Sequence, residues 1–386
     1  MQKNNKILIS VENSLKDISK KEWNNCANPN SNDYNQFVSY DFLRSLEESN
    51  SINSNSGWYS SYFIARDTAN KIIGCIPSYL KNNSSGEYVF DYSWAEAYQR
   101  IGRSYYPKLQ ISIPFTPVTA PKLLTHKSKN QDVEKALLYG IENFCKNNSL
   151  SSAHLTFLTK KDLELIKHQG WLIRTDQQFH WHNDNYRDFE DFLDALSSRK
   201  RKNIRKERDE ANKKGIEIEI LNDSNITEHH WDHFYNFYLN TSMRKWGQPY
   251  LERKFFSLVG NTLSKDILLI MAKHNKKYIA GALNFLGSNT IFGRNWGCIE
   301  DHKNLHFELC YYRAIEYAIK KKFTKVEAGA QGAHKISRGY KPSTTYSAHW
   351  IKDIDFSEAI SNYLKDERQY IQRNIDKLNE YIPFKR

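Results

Sequence analysis

Two runs of strand-like and helix-like segments follow one another in the same order, and this repeated order most limits what the chain can fold into. In the first run, residues 6–11 read as a strand, and 37–48 as a helix with Phe42, Leu43 and Leu46 at helical spacing. Residues 62–66 and 71–80 read as a strand pair around a polar turn at 67–70. Then come a strand at 108–113, a helix at 132–147 and a strand at 153–158. The second run opens with a strand at 178–182, one long helix over 187–214 and a strand at 216–221. Helices at 227–243 and 251–263 lead to a strand pair, 267–273 and 278–286, around a turn at 274–277. A strand at 289–296, a helix at 305–323, strands at 325–328 and 346–351 and a long polar helix at 356–381 complete it. This is an α/β layered order with helices against mixed sheets. No repeat is visible at the level of residues. The natural cut, near 170–175, predicts lobes 1–172 and 173–386.

At 386 residues the chain exceeds what one core usually holds, which agrees with two lobes. Its five cysteines, Cys26, Cys75, Cys145, Cys298 and Cys310, are odd in number, far apart and without a CxxC pair. That speaks against a disulfide framework and a structural zinc site, and no metal-ligand set is read from the sequence. Residues 1–10 lack the apolar run of a signal peptide, and no stretch approaches the roughly 20 apolar residues of a spanning helix. A soluble, cytoplasmic protein with no integral membrane segment is expected. No Rossmann fingerprint, P-loop or HExxH motif is present.

The formal net charge is +12, and half of it sits in sixteen residues: 199–214 hold nine Lys and Arg against three Asp and Glu. Such a run is either a solvated helix face or an anion site for a phosphate or an RNA backbone. Glu207, Asp209 and Glu210 are too few to pair it, so Arg199, Arg201, Lys202 and Arg205 are candidate anion- or RNA-binding residues.

Several blocks then carry a resemblance. They are Gly86-Glu-Tyr-Val-Phe-Asp-Tyr-Ser-Trp-Ala95, Tyr105-Tyr-Pro-Lys-Leu109, Pro114-Phe-Thr-Pro-Val118 and Gln178-Phe-His-Trp181. In the second half they are Arg199-Lys-Arg-Lys-Asn-Ile-Arg205, Gly293-Arg-Asn-Trp-Gly297, Leu305-His-Phe-Glu-Leu-Cys-Tyr-Tyr312, and Gly329-Ala-Gln-Gly-Ala-His-Lys335 with Arg338-Gly-Tyr340. Together they resemble the FemAB-like predicted N-acyltransferases over roughly 58–349. The resemblance implies two tandem GNAT-like lobes. It also implies transfer of an acyl or aminoacyl group to an amine, often in peptidoglycan biosynthesis or recognition, with acyl-CoA or aminoacyl-tRNA as co-substrate and no permanently bound cofactor. The chain departs from the family pattern at Ala333, where a Glu usually stands; a mechanism needing a carboxylate there is lost. A GNAT-like scaffold that recognises a cell-wall or RNA ligand without chemistry is the alternative.

Amide formation needs a neutral amine, a stabilised oxyanion and a protonated leaving group. Glu308, His334 and Tyr340 are the candidate catalytic residues. Glu308 falls on the apolar stripe of the helix from Leu305, with Tyr312, Ile315 and Ile319, where a carboxylate is costly unless paired or protonated. It is therefore either a general base or ligand of the substrate amine, or a structural carboxylate held by backbone or Arg. His306 falls on the polar side but is near enough to join the substrate-binding candidates, with Arg294, Trp296, Gln331, Lys335 and Arg338. Arg294 and Trp296 alternate on a strand and so share a face. Phe90, Tyr92 and Trp94 alternate too, as core or lobe-interface residues, and Asp91 and Tyr106 are candidates for an opposing wall. The segment 298–305 has no glycine and carries Glu300 and Asp301, which oppose the pyrophosphate of CoA; a tRNA donor would use the basic run, and the donor stays open between the two. The acceptor amine and the oligomeric state are not readable.

Overall fold

The structure, a computed structural model, describes residues 6–126, 131–213, 215–245, 247–329 and 332–385. Two units emerge: Met1–Asp176 with Thr345–Ile371, and Gln177–Thr344 with Gln372–Arg386. The first boundary falls four residues beyond the predicted cut at 172. The difference lies at the other end, where 345–371 group with the first unit instead of the second. The reason is strand pairing: Ala348–Ile351 run antiparallel to Ser152–Leu155, matching Ala348 with Leu155 and Ile351 with Ser152.

The first unit holds a four-stranded antiparallel sheet in the order Leu8–Glu12, Tyr62–Arg66, Ile72–Ile76, Leu124–Thr125. Its second sheet is mixed. Trp58–Ser60 pairs with Ser78–Lys81, which pairs with Lys108–Ile111, both antiparallel, and Lys108–Ile111 lies parallel to Ser152–Leu155. The helix Gln131–Asn147 turns Val133, Leu137, Leu138, Ile141 and Cys145 inward at helical spacing. They pack on Phe63, Ala65, Ile76, Leu109, Ile111 and Leu155.

The second unit is one mixed sheet. Ile216–Asn222, Ile267–His274, Lys277–Leu286 and Thr290–Cys298 are successive antiparallel neighbours. Lys325–Glu327 joins in parallel and then pairs with the end of Leu172–His182. On one face the helix Glu228–Lys245 comes so close that a Cβ on Gly297 would stand 2.2 Å from the Phe237 carbonyl; only glycine fits there. The helices Phe189–Ala195 and Arg313–Lys321 bring Phe192, Leu193, Ile315 and Ile319 to a core with Leu268, Ile270, Ala282 and Ile291.

Four predicted elements differ. The single strand read over 71–80 is two, Ile72–Ile76 in the four-stranded sheet and Ser78–Lys81 in the mixed one. The long helix of 187–214 is two helices, Phe189–Ala195 and Ser198–Ala211, because Leu196 bridges Phe384 and the Ser197 N–H donates to the Pro383 carbonyl. The helix from Leu305 contains a π-helical turn over Glu308–Tyr312, a register change that favours functional positions. Phe90, Tyr92 and Trp94 do not alternate on a strand: Tyr92–Arg100 is a helix, Trp94 is buried, and Phe90 and Tyr92 are about half exposed.

Candidate functional site

In the second unit, the segment after Lys325–Glu327 folds into a short 3-10 helix, Ala333–Arg338. Gly332 permits its start at φ +104, where a Cβ would fall 2.4 Å from the His334 ring. That ring stands against Tyr311, whose hydroxyl lies 3.0 Å from His334 Nε2, and against Phe307. His306 stacks edge-on to Trp296 at 5.1 Å and to Tyr311 at 5.4 Å. Tyr340 is fully buried, its ring 5.5 Å from that of Tyr311, and its hydroxyl has no hydrogen-bond partner among the described residues. Burial raises that phenol well above its ordinary pKa, so it stays a proton donor.

Arg338 ties the segment down. Its guanidinium lies over Phe307 at 3.5 Å, donates to the His334 carbonyl at 2.8 Å and pairs with Glu207 at 2.9 Å. The Tyr312 hydroxyl donates to the other Glu207 oxygen. Lys335 is 3% exposed and donates to the Gly329 carbonyl at 3.2 Å. Burial, reinforced by the charge of Arg294, lowers its pKa to about 8. A lysine poised there can shed its proton near neutral pH.

Glu308 is held by arginines. Nothing of it is exposed; Arg208 donates to its two oxygens at 3.1 Å each, and Arg313 Nε lies 2.8 Å from Oε1. Glu316 joins both guanidiniums at 3.2 and 3.0 Å. Both of its oxygens are thus engaged by guanidinium groups. The structure therefore gathers His306, Trp296, His334, Arg338 and Tyr340 around Tyr311 and leaves Glu308 in a separate ionic cluster. His306 is drawn into the aromatic group rather than left on a polar face. Arg294 and Trp296 do not share a simple face. Trp296 pairs with Ala282 and Asn295 with Leu283, but Asn284 pairs with Gly293, so Arg294 is the bulged residue. Its charge is felt by Lys335, His180 and Glu327. Gln331 lies outside the described residues.

The basic run is better paired than its own acids allow. Glu190 and Asp194, on the preceding helix, take Arg205 and Arg201, and Glu308 and Glu316 take Arg208. Arg199 and Lys202 are exposed and form no ion pair among the described residues.

Two further groups of residues stand out, of which the sequence reading named only Asp91 and Tyr106. Beside Arg294, the buried Glu327 carboxylate sits 2.7 Å from Lys325 Nζ and 3.8 Å from His180. Burial pushes it up, but His180 and Lys325 outweigh that and hold it below the usual range. The other group is a polar core in the first unit. Lys108 Nζ lies 2.6 Å from Asp91, 2.7 Å from Glu87 and 2.9 Å from Ser84, with all four residues buried. The Tyr105 hydroxyl bonds Asp91 at 2.6 Å and reaches His154 at 3.1 Å, and His154 Nδ1 meets His349 Nδ1 at 2.7 Å. Burial pushes His154 down to about 3, Lys81 down to about 7 and Glu87 up to about 7. Asp91 is held below the carboxylate range: burial would raise it, and the Lys108 ammonium prevails. Asp91 is thus an interior ion-pair member, and Tyr106 bonds Ser84 at 2.7 Å. The sequence did carry one signal: Ser152-Ala-His154 and Ser347-Ala-His349 are the same tripeptide, and in each the serine hydroxyl bonds the histidine Nε2, at 2.8 and 2.9 Å.

A crystal structure of FemX matches 91% of this chain and 100% of its own, with 11% identity and a TM-score of 0.55. The C-terminal domain of a putative lysylphosphatidylglycerol synthetase from Agrobacterium fabrum matches 88% of this chain and 95% of its own, at 8% identity and a TM-score of 0.53. L-PGS from Bacillus licheniformis matches 84% of this chain and 96% of its own, at 9% identity and 0.50. At these identities the likeness is one of fold, and it agrees with the two helix-flanked mixed-sheet units expected. No curated protein matches the chain in sequence. A family model described as peptidoglycan biosynthesis/recognition matches residues 14–386, nearly the whole length, and the chain belongs to this FemAB-like family.

Proposed function

We propose that the chain is an N-acyltransferase that moves an aminoacyl group from aminoacyl-tRNA to an amine acceptor, a peptidoglycan precursor or a small amine. The observation that carries this reading is family membership over residues 14–386. The donor preference rests on 298–305, which lacks glycine and presents Asp301 where an acyl-CoA lobe would hold pyrophosphate on backbone amides.

The chemistry is assigned to the group around Tyr311. Lys335, titrating near 8, takes a proton from the acceptor ammonium. The free amine attacks the ester carbonyl, the Tyr340 phenol donates a hydrogen bond to the developing oxyanion, and the carbon–oxygen bond to the ribose breaks as the second proton of the attacking nitrogen passes to the departing ribose oxygen. His334 and Arg338 hold the substrate's polar groups beside Phe307 and Tyr311. A binding protein without chemistry is the second reading; Ala333, exposed at the start of the 3-10 helix, keeps it open.

The test supplies purified protein with charged tRNA or with acyl-CoA pools and with muropeptide precursors and small amines as acceptors. Mass spectrometry reads the products. Transfer from tRNA, cut about 100- to 1,000-fold by Tyr340→Phe as for loss of an oxyanion donor, supports the proposal. Transfer from acyl-CoA alone refutes the donor, and ligand binding without transfer establishes the second reading.

A further inference from the structure

We infer that His274, Glu300 and His302 form a binding site for one divalent transition-metal cation of the zinc class. It uses none of the residues grouped around Tyr311 and does not rest on the transferase reading. His274 Nδ1 is 3.1 Å from Glu300 Oε2, and His302 Nε2 is 2.9 Å from the same oxygen. The three candidate ligand atoms all lie within 4.8 Å of one another. Bonds of about 2.0–2.1 Å meeting at tetrahedral angles separate neighbouring ligand atoms by about 3.3 Å. The spacing therefore already fits a common cation, and the side chains need only small adjustments to receive it.

The backbone fixes all three positions. His274 ends its strand opposite Lys277, across a two-residue turn in which Asn275 and Lys276 are left-handed, at φ 51 and 64. That turn type locks a hairpin in register. Glu300 follows a strand whose hydrogen bonding continues past its end, the Ile299 N–H donating to the Ile279 carbonyl at 2.9 Å. His302 is held by a turn in which its carbonyl accepts from the Leu305 N–H at 3.1 Å. The imidazole rings stand 5.0 Å apart and nearly perpendicular, at 73°.

Two imidazoles and one carboxylate are a nitrogen-rich, borderline set that suits zinc, nickel or copper over magnesium or calcium. Three protein ligands leave a coordination position for water or a ligand oxygen. Asn275 lies 3.5 Å from His274 Nε2. With its amide turned to present Oδ1, it accepts the Nε2–H and orients the ring, as metal-bound histidines require. Without a cation, the same arrangement is two imidazole N–H groups sharing one carboxylate oxygen.

A second histidine group supplies the control. His229 and His233 lie one helical turn apart with ring centroids at 4.6 Å, a geometry that also attracts metals. Full-length protein is stripped with a chelator and titrated with Zn²⁺ against a chromophoric competitor and, separately, with Co²⁺ followed by its visible d–d bands. The proposal expects one equivalent per chain, with His274→Gln and His302→Gln each weakening binding by about 100-fold or more, beyond the effect of losing an orienting partner. Glu300→Gln is the milder third variant, and circular dichroism confirms that each variant is folded. Retained affinity in folded His274→Gln or His302→Gln, binding abolished only by His229→Gln/His233→Gln, or less than one equivalent bound would overturn it.

Discussion

Replacing Glu308 by Gln separates a structural carboxylate from a catalytic one. The change keeps shape and removes one charge from a site with no solvent exposure. Arg208, with two 3.1 Å bonds to the carboxylate, and Arg313, with Nε at 2.8 Å, are left facing each other. Breaking a buried ion pair from one side costs about 3–5 kcal/mol. Here the arginine side chains are 17% and 23% exposed and Glu316 still reaches both, so a loss of about 2–3 kcal/mol is expected. At about 2–4 °C per kcal/mol for a unit of this size, the melting point of the second unit falls by about 4–12 °C. Two units need not melt together, so calorimetry should resolve them before any free energy is assigned. Arg208→Met in the Glu308→Gln background removes one stranded cation, and the pair of losses should be less than additive by about 0.5–3 kcal/mol. Turnover per folded molecule should change little. A folded Glu308→Gln protein with unchanged melting and a rate about 100-fold lower would refute the structural assignment and restore Glu308 as an acid or base.

Lys335→Met should abolish a rise in rate centred near pH 8. Because the folded pKa lies below the unfolded one, this lysine costs stability below about pH 8, and that cost is relieved as pH rises toward the unfolded value; Lys335→Met should therefore raise the neutral-pH melting point by an amount equivalent to about 2–3 kcal/mol, read by thermal denaturation. Lys108→Met strands Glu87 and Asp91 in the interior and should destabilise the first unit by about 3–5 kcal/mol, measured by calorimetry. Charge reversal at Arg201, Lys202 and Arg205 should flatten the salt dependence of tRNA binding in filter-binding assays, and an unchanged slope would remove that face from the RNA surface.

Elements governed by local chemistry were legible. The turn at 274–277 was readable because a polar Asn-Lys pair accepts left-handed backbone, and the apolar stripe holding Glu308 was readable from spacing alone. What escaped depends on partners distant in sequence. The break at Leu196 and Ser197 is caused by Phe384 and Pro383. The basic run looked unpaired because its acids, Glu190 and Asp194, lie on the preceding helix, before residue 199. The strand reading of Phe90, Tyr92 and Trp94 failed because alternation over five residues cannot distinguish a strand from the entry to a helix, and Tyr92–Arg100 buries Trp94 and Tyr98 at helical spacing.

The same rule that singled out Glu308 applies with more force to a place where the sequence reading named only Asp91 and Tyr106. A carboxylate on an apolar face must be paired or protonated. That holds for Glu308 through two arginines, and it holds for Glu87 and Asp91 through a lysine that is itself wholly buried. Periodicity flagged Glu308 because the residues around it on its helix are apolar. Lys108 escaped because Lys108–Ile111 is buried at every position, so no inside–outside alternation marks a charge as out of place. A lysine reads as a strand end unless its carboxylates, 17 and 21 residues upstream, are known to return to it. Solvation alone would drive these groups apart or to neutrality. The contacts of Lys108 with Glu87 and Asp91 fasten the loop that carries them to the sheet, and Lys108→Met tests that fastening directly.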